Sequence, residues 1–185
     1  GTYDKTYLLA FGEFMPLGDL FPILYEWSPN TGHFPPGSHV RPLVLPFEGR
    51  DVRIGTLICY EDVLPGFTRE MVREGDPHLL VNITNDTWFG DTLEPWIHLA
   101  LAKFRSVEHH RALARSTNSG VTAFVDPAGR TLEALSFGEV DEIAAELPLL
   151  TGTTVYTVLG DWPGGMGLGM TFWLVVGGQR RRDDG

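Results

Sequence analysis

Cysteine is almost absent. Cys59 stands alone among 185 residues, which excludes an internal disulfide and a thiolate zinc site. Basic residues are scarce as well: 14 Lys and Arg against 24 Asp and Glu leave a net charge of -10. A surface that acidic has no footprint for phosphate, so nucleic acid is excluded as a partner. The six histidines show no HExxH spacing, and His109-His110 reads as a solvated helix edge rather than a ligand pair. No metal and no cofactor is expected. Missing too are an initiator Met, a signal peptide and an apolar N-terminal stretch. Opening on GTYDKTYLLAFGE is what a chain truncated inside a domain is expected to show.

What is present is ordinary globular composition, 43% hydrophobic and 21% charged, sufficient for one sizeable core and a short appendage. Tyr7–Phe11 is a short apolar run that predicts a buried strand. Val52–Ile58 alternates and then becomes continuously apolar, as a strand entering a sheet core does, and Leu79–Ile83 predicts another. Phe67–Glu74 predicts a short helix between them. Ile97, Leu101, Phe104 and Val107 recur at helical spacing, giving one face of a helix from Pro95 to Arg111 with Pro95 in its first turn. Val121–Val125 and Thr131–Leu135 flank the turn residues Asp126-Pro127-Ala128-Gly129 and predict a hairpin. Strands alternating with helices, followed by a hairpin, predict an α/β domain with a mixed sheet.

Two segments depart from that pattern. Phe14–Pro46 holds seven prolines and scattered aromatic residues, among them Phe21, Tyr25, Trp27 and Phe34, without a helical or strand period. A long aromatic loop is either packed on its own core or an apolar lid over a greasy substrate. Trp162–Gly178 carries no charge over 17 residues, and Arg180, Arg181 and Arg182 follow. A membrane span needs about 20 apolar residues, and glycine is commoner in membrane helices than in soluble ones. Residues 162–179 are therefore expected to form a C-terminal transmembrane helix with its basic end in the cytoplasm; a terminal helix docked on the core is the alternative.

A lone cysteine is by default a buried structural residue. The position of Cys59, in GTLICYEDVLPG, also suits chemistry. It ends a predicted strand, where open α/β sheets place reactive groups, and a helix beginning beyond it favours negative charge. Glu61 and Asp62 have the wrong sign to support a thiolate and suit proton acceptance or orientation instead. A cation has to come from elsewhere. Lys5 in YDKTYLLAFGE is the best placed, though a lysine leading into a strand also reads as a solvated edge.

Tyr3–Lys5 (YDK), GTLICYED around Cys59 and Asn82–Asp86 (NITND) resemble the successive motifs of the nitrilase, or carbon-nitrogen hydrolase, superfamily. Within it, FGEFMPLG at Phe11–Gly18, ICYE at Ile58–Glu61, TNDTWFG at Thr84–Gly90, RSVE at Arg105–Glu108 and RSTNSG at Arg115–Gly120 are similar to the apolipoprotein N-acyltransferase family. That resemblance implies a nitrilase-like αββα sandwich, N-terminally truncated here. Residues 1–155 would be a partial catalytic domain on the periplasmic side of the bacterial inner membrane, with residues 162–179 as the anchor.

The resemblance also implies a Glu-Lys-Cys triad acting through a thioester. Cys59 would be the nucleophile, and Lys5 would stabilise the oxyanion with the backbone N–H of Tyr60. Loss of one such donor costs on the order of 2.7–4 kcal/mol of barrier. Glu61 would orient Lys5, and Glu13 matches a glutamate near the mouth of the site. Asn85, Asp86 and Trp88 would shape the pocket, and Arg105 with Glu108 would form an i,i+3 pair. The implied partners are a phospholipid acyl donor, the N-terminus of an apolipoprotein as acceptor, and the membrane; a monomer is expected. The triad glutamate would lie upstream of Gly1, so these residues alone are expected not to turn over. A soluble amidase with the same triad is the nearest alternative, and a catalytically dead membrane-anchored binding domain is another.

Overall fold

The computed structural model describes residues 1–183, with side chains in its last helix as far as Leu174. Six strands form one mixed sheet whose spatial order follows the chain: β1 (Leu43–Phe47), β2 (Arg50–Ile58), β3 (Leu79–Thr84), β4 (Ala112–Thr117), β5 (Thr122–Val125) and β6 (Thr131–Leu135). β2, β3 and β4 run parallel, and the outer pairs are antiparallel. Parallel neighbours need long crossovers, which α2 (Pro65–Gly75) and α3 (Glu94–His109) supply. Leu57, Leu80, Leu113, Ala123 and Val125 alternate onto one sheet face and are fully buried against Phe67 and Met71 of α2 and Leu99 and Ala102 of α3. On the opposite face Ile54, Leu79, Val81 and Ile83 are half-buried or exposed. The expected α/β class and mixed sheet are present. Among the described residues there is one sheet, not the two facing sheets of a sandwich.

Several expectations change. Tyr7–Phe11 is not a strand: Phe11 takes φ 64 in a turn, and Ala10 and Phe14 form an isolated bridge. The amides of Thr6 and Tyr7 go to the Glu61 carboxylate and that of Leu9 goes to Glu13, so no sheet ladder is available to them. The long proline-rich segment contains a short helix, α1 (Ile23–Trp27), and ends in β1. β4 gave no strand signal, because ALARST puts a charged Arg115 at a core-facing position. In α3 the apolar stripe faces outward: Ile97, Leu101, Phe104 and Val107 are 43–57% exposed, while His98, Arg105, Ser106 and His109 are buried. The Arg105–Glu108 pair is present at 2.5 Å.

Beyond β6 the chain continues as an irregular strap and enters α4 (Val155–Leu159). Buried Arg111 holds the strap by donating from Nη2 to Gly152 O (2.7 Å) and Asp76 Oδ1 (2.6 Å). Arg69 donates to the carbonyls of Thr157 and Val158. His109 is not a solvated edge. Its Nδ1 lies 2.8 Å from Thr157 Oγ1, and only His110, the left-handed C-cap of α3, is exposed. Burial, with Arg105, Arg111 and Arg69 nearby, pushes the His109 pKa down to about 3. The unfolded chain then takes up a proton near the ordinary histidine pKa that the folded protein refuses. Stability is expected to fall as pH drops from about 6.5 toward about 3, by at most about 1.4 kcal/mol per pH unit. Urea midpoints at neutral and mildly acidic pH measure this, and His109→Gln should flatten the slope.

The charge-free tail forms one helix, α5 (Trp162–Asp183). No helix among the described residues is long and apolar enough to cross a membrane. Gly164, Gly165, Gly167 and Gly169 dilute the apolar side chains of its first half. The helix is not docked on the core either, since every described side chain from Trp162 to Leu174 is exposed.

Candidate active site

β2, β3 and β4 end side by side, with Ile58 beside Ile83 and Thr84 beside Thr117. The carboxyl ends of parallel strands are where such sheets bind ligands, because the connecting loops diverge there. Cys59 is the first residue past β2. It sits at φ 52 and opens a 3₁₀ turn, Cys59–Val63, that leads into α2. A left-handed conformation is costly for a residue with a Cβ and turns the half-buried thiol out of the strand. Asn82 Nδ2 donates to the carbonyls of Leu57 and Cys59, which steadies the corner.

Glu61 is fully buried and accepts four hydrogen bonds. Oε1 takes the amides of Thr6 (2.6 Å) and Tyr7 (3.0 Å); Oε2 takes the amide of Ile58 (2.8 Å) and the hydroxyl of Tyr3 (3.0 Å). Burial and the Glu61 charge together push the Tyr3 hydroxyl pKa up. Glu61 makes no contact with Lys5 Nζ, contrary to the expectation that it orients the ammonium directly. It fixes the backbone on both sides: the segment carrying Lys5 and the strand end carrying Cys59. The partner of Lys5 is Glu13, whose two oxygens lie 2.7 and 2.6 Å from Nζ. Only 10% of the Lys5 side chain is exposed. Glu13 also accepts from the amide of Leu9, so the two ends of that turn are clamped by one carboxylate.

Behind the Cys59 turn lies a closed ring of charged side chains that the sequence did not reveal. Asp62 Oδ1 meets His98 Nε2 at 2.8 Å, and its Oδ2 meets Arg115 Nη1 at 2.5 Å. Asp86 Oδ1 meets His98 Nδ1 at 2.9 Å, and its Oδ2 meets Arg115 Nη2 at 2.9 Å. Asn82 Oδ1 accepts from Arg115 as well. Burial opposes a charge on His98, but the hydrogen bonds that its ring donates to Asp62 and Asp86 outweigh it and raise the pKa to about 9. Burial likewise opposes ionisation of Asp86, yet His98 and Arg115 hold its pKa below the ordinary value. Gly120 packs on this ring, and a Cβ there would overlap the Asp86 carboxylate. The available signal was His98 on the α3 face opposite the apolar stripe, at helical spacing from Arg105 and His109.

The expected pocket residues divide. Asp86 belongs to the buried ring. Asn85 is exposed and accepts from Asn118 Nδ2 (2.7 Å), tying the loop after β3 to the loop after β4. Trp88 is 79% exposed and Tyr60 40%, so neither lines a closed cavity. A cavity of about 600 Å³ lies instead under the proline-rich segment, lined by Thr6, Tyr7, Phe14, Met15, Tyr25 and Phe34. Its rim carries Asp19 and His33, the latter stacked on Tyr25 at 4.8 Å. Thr6 and Tyr7 connect it to Lys5 and, through Glu61, to the Cys59 turn.

The family model for carbon-nitrogen hydrolases matches residues 1–155. The chain belongs to the carbon-nitrogen hydrolase family. This carbon-nitrogen hydrolase chain is also similar to curated proteins named apolipoprotein N-acyltransferase. One, from Bdellovibrio bacteriovorus, is 43% identical over 71% of the chain and 24% of the relative. One from Bradyrhizobium diazoefficiens is 38% identical over 97% of the chain and 32% of the relative. A third, from Geobacter metallireducens, is 35% identical over 87% of the chain and 30% of the relative. The chain thus spans about a quarter to a third of the length of these relatives.

Proposed function

We propose that this carbon-nitrogen hydrolase chain is the catalytic portion of an apolipoprotein N-acyltransferase. The observation that supports the reading is the Glu61 clamp, which bonds the backbone next to Lys5 and the strand end next to Cys59, with an apolar cavity lined by the same N-terminal segment. A thiol at a sharp strand-end turn with a nearby buried ammonium is the equipment of covalent acyl transfer. The names and identities of the relatives support the substrate class.

In the first step Cys59 Sγ attacks the ester carbonyl of a phospholipid. The C–S bond forms, the C–O bond breaks, and the lysophospholipid leaves as an alcohol after taking a proton. Lys5 and the Tyr60 N–H hold the oxyanion between these events, and Glu13 and Glu61 keep Lys5 in place. In the second step the α-amine of a lipid-modified N-terminal cysteine attacks the thioester. The C–N bond forms, the C–S bond breaks, and the thiol is regenerated. The general base for both steps is a glutamate upstream of Tyr3–Lys5, as the resemblance implies. Asn85 and Trp88 flank the acceptor side, and the cavity under Phe14–Phe34 takes the acyl chain. The protein acts as a monomer at the bacterial inner membrane, with α5 against the lipid and the catalytic domain on the periplasmic side.

The test uses the full-length protein with vesicles of a dipalmitoyl phospholipid. One palmitoyl mass on the Cys59 peptide, removed by neutral hydroxylamine and absent in Cys59→Ala, is the expected result. Palmitate found on another residue, or none on Cys59 while ammonia is released from small amides, would overturn it in favour of an amidase.

A further inference from the structure

The charged ring behind the Cys59 turn has no part in the bond-making steps above, yet it joins four separate pieces of the fold. Asp62 lies in the turn that Cys59 opens, Asp86 in the loop after β3, His98 on α3 and Arg115 on β4. The side chains of Asp62, Asp86 and Arg115 are wholly buried, and that of His98 is 6% exposed. Both imidazole nitrogens stand within 2.9 Å of carboxylate oxygens. An ionised carboxylate only accepts, so both nitrogens must carry hydrogen, and the ring is stitched by an imidazolium. Arg115 bridges the same two carboxylates from the opposite side. The charges then sum to zero, two negative and two positive, which is what allows the cluster to remain buried.

The two halves joined here are the two walls of the proposed site. Asp62 belongs to the corner that presents the thiol. Asp86 begins the loop that carries Trp88 and Phe89, and its amide bonds Asn118 Oδ1 at 3.2 Å. Resting on the acyltransferase reading, we propose that His98 is a positioning residue whose doubly protonated ring ties the loop of residues 85–90 to the Cys59 turn. Loss of one proton from the ring removes one of its two bonds and leaves a lone pair facing a carboxylate, so the loop is held to the corner by Arg115 alone and opens more often. The groups facing His98 are Asp62 from the turn, Asp86 from the loop, Arg115 from β4 and Glu94 one helical turn earlier on α3. The two aspartates favour the proton and Arg115 opposes it, and the aspartates prevail because each bonds the ring directly.

The experiment measures amide hydrogen exchange of residues 85–90 in the full-length protein, corrected for the base-catalysed intrinsic rate. Protection is expected to be flat through neutral pH and to fall about tenfold as pH passes through about 9, with β5 unchanged. His98→Gln, whose single amide nitrogen reaches only one carboxylate, should show the weakened protection already at neutral pH and no alkaline step. If that variant does not fold, Asp62→Asn serves, because one carboxylate fewer should move the step to lower pH. The rate of Cys59 palmitoylation should show an alkaline fall in the wild type that His98→Gln lacks. Wild-type exchange without an alkaline step, or full protection in folded His98→Gln, overturns the tie. Absence of palmitate on wild-type Cys59 overturns the acyltransferase reading instead, and the exchange result still decides the tie.

Discussion

Arg115→Met is expected to lower folding stability by about 3–5 kcal/mol, because it leaves two buried carboxylates with one imidazolium between them. Arg115 is wholly buried and bonds Asp62, Asp86 and Asn82 from its two terminal nitrogens. Methionine fills much of the volume, so the loss reports the uncompensated charge rather than a cavity. Arg115→Lys should recover only part of it, since a point ammonium cannot span the carboxylates of Asp62 and Asp86 at once. Urea unfolding gives the difference directly. A midpoint for Arg115→Met within error of the wild type would mean that water reaches the ring, and the buried ion-pair account would then fail.

Glu61→Gln is the second large effect, and it needs no change in side-chain size. Each Glu61 oxygen accepts from two donors. A glutamine must turn its NH₂ toward one of those pairs: toward Thr6 and Tyr7 it faces two amide donors, and toward Ile58 and Tyr3 it faces one, because the Tyr3 hydroxyl can turn to accept. Each buried donor left without a partner costs about 1–3 kcal/mol, and the cheaper flip leaves one, which puts the expected loss at about 1–3 kcal/mol. Amide exchange should rise at Thr6 and Tyr7 or at Ile58, according to the flip, and palmitoylation of Cys59 in the full-length protein should be lost with it. A variant that keeps the wild-type urea midpoint while exchange at those amides stays slow would remove Glu61 from the clamp.

Much of the fold was legible because period and turn chemistry are local properties. β2, β3, α2, the span of α3 and the β5–β6 hairpin follow from apolar alternation, helical spacing and Asp126–Gly129. Tyr7–Phe11 was misread because carboxylates distant in sequence captured amides that a strand would have paired. β4 was missed because its core-facing Arg115 looks like a surface residue until its two aspartates are known. The buried face of α3 was not legible for the same reason: buried His98, Arg105 and His109 are polar, and the exposed stripe is apolar.

By itself the sequence determined the family, the mixed α/β sheet and the place of Cys59 at a strand end, since ordered motifs and periodic apolar residues survive without coordinates. It also marked Lys5, Glu13 and Glu61 as a set. Only the tertiary structure decided how they pair: Lys5 is bonded to Glu13, and Glu61 grips the backbone of two segments rather than the ammonium. The His98 ring was likewise beyond sequence, because its members come from four elements and each is costly to bury alone. Their charges are tolerated only where folding brings all four together, and that proximity is a property of three dimensions.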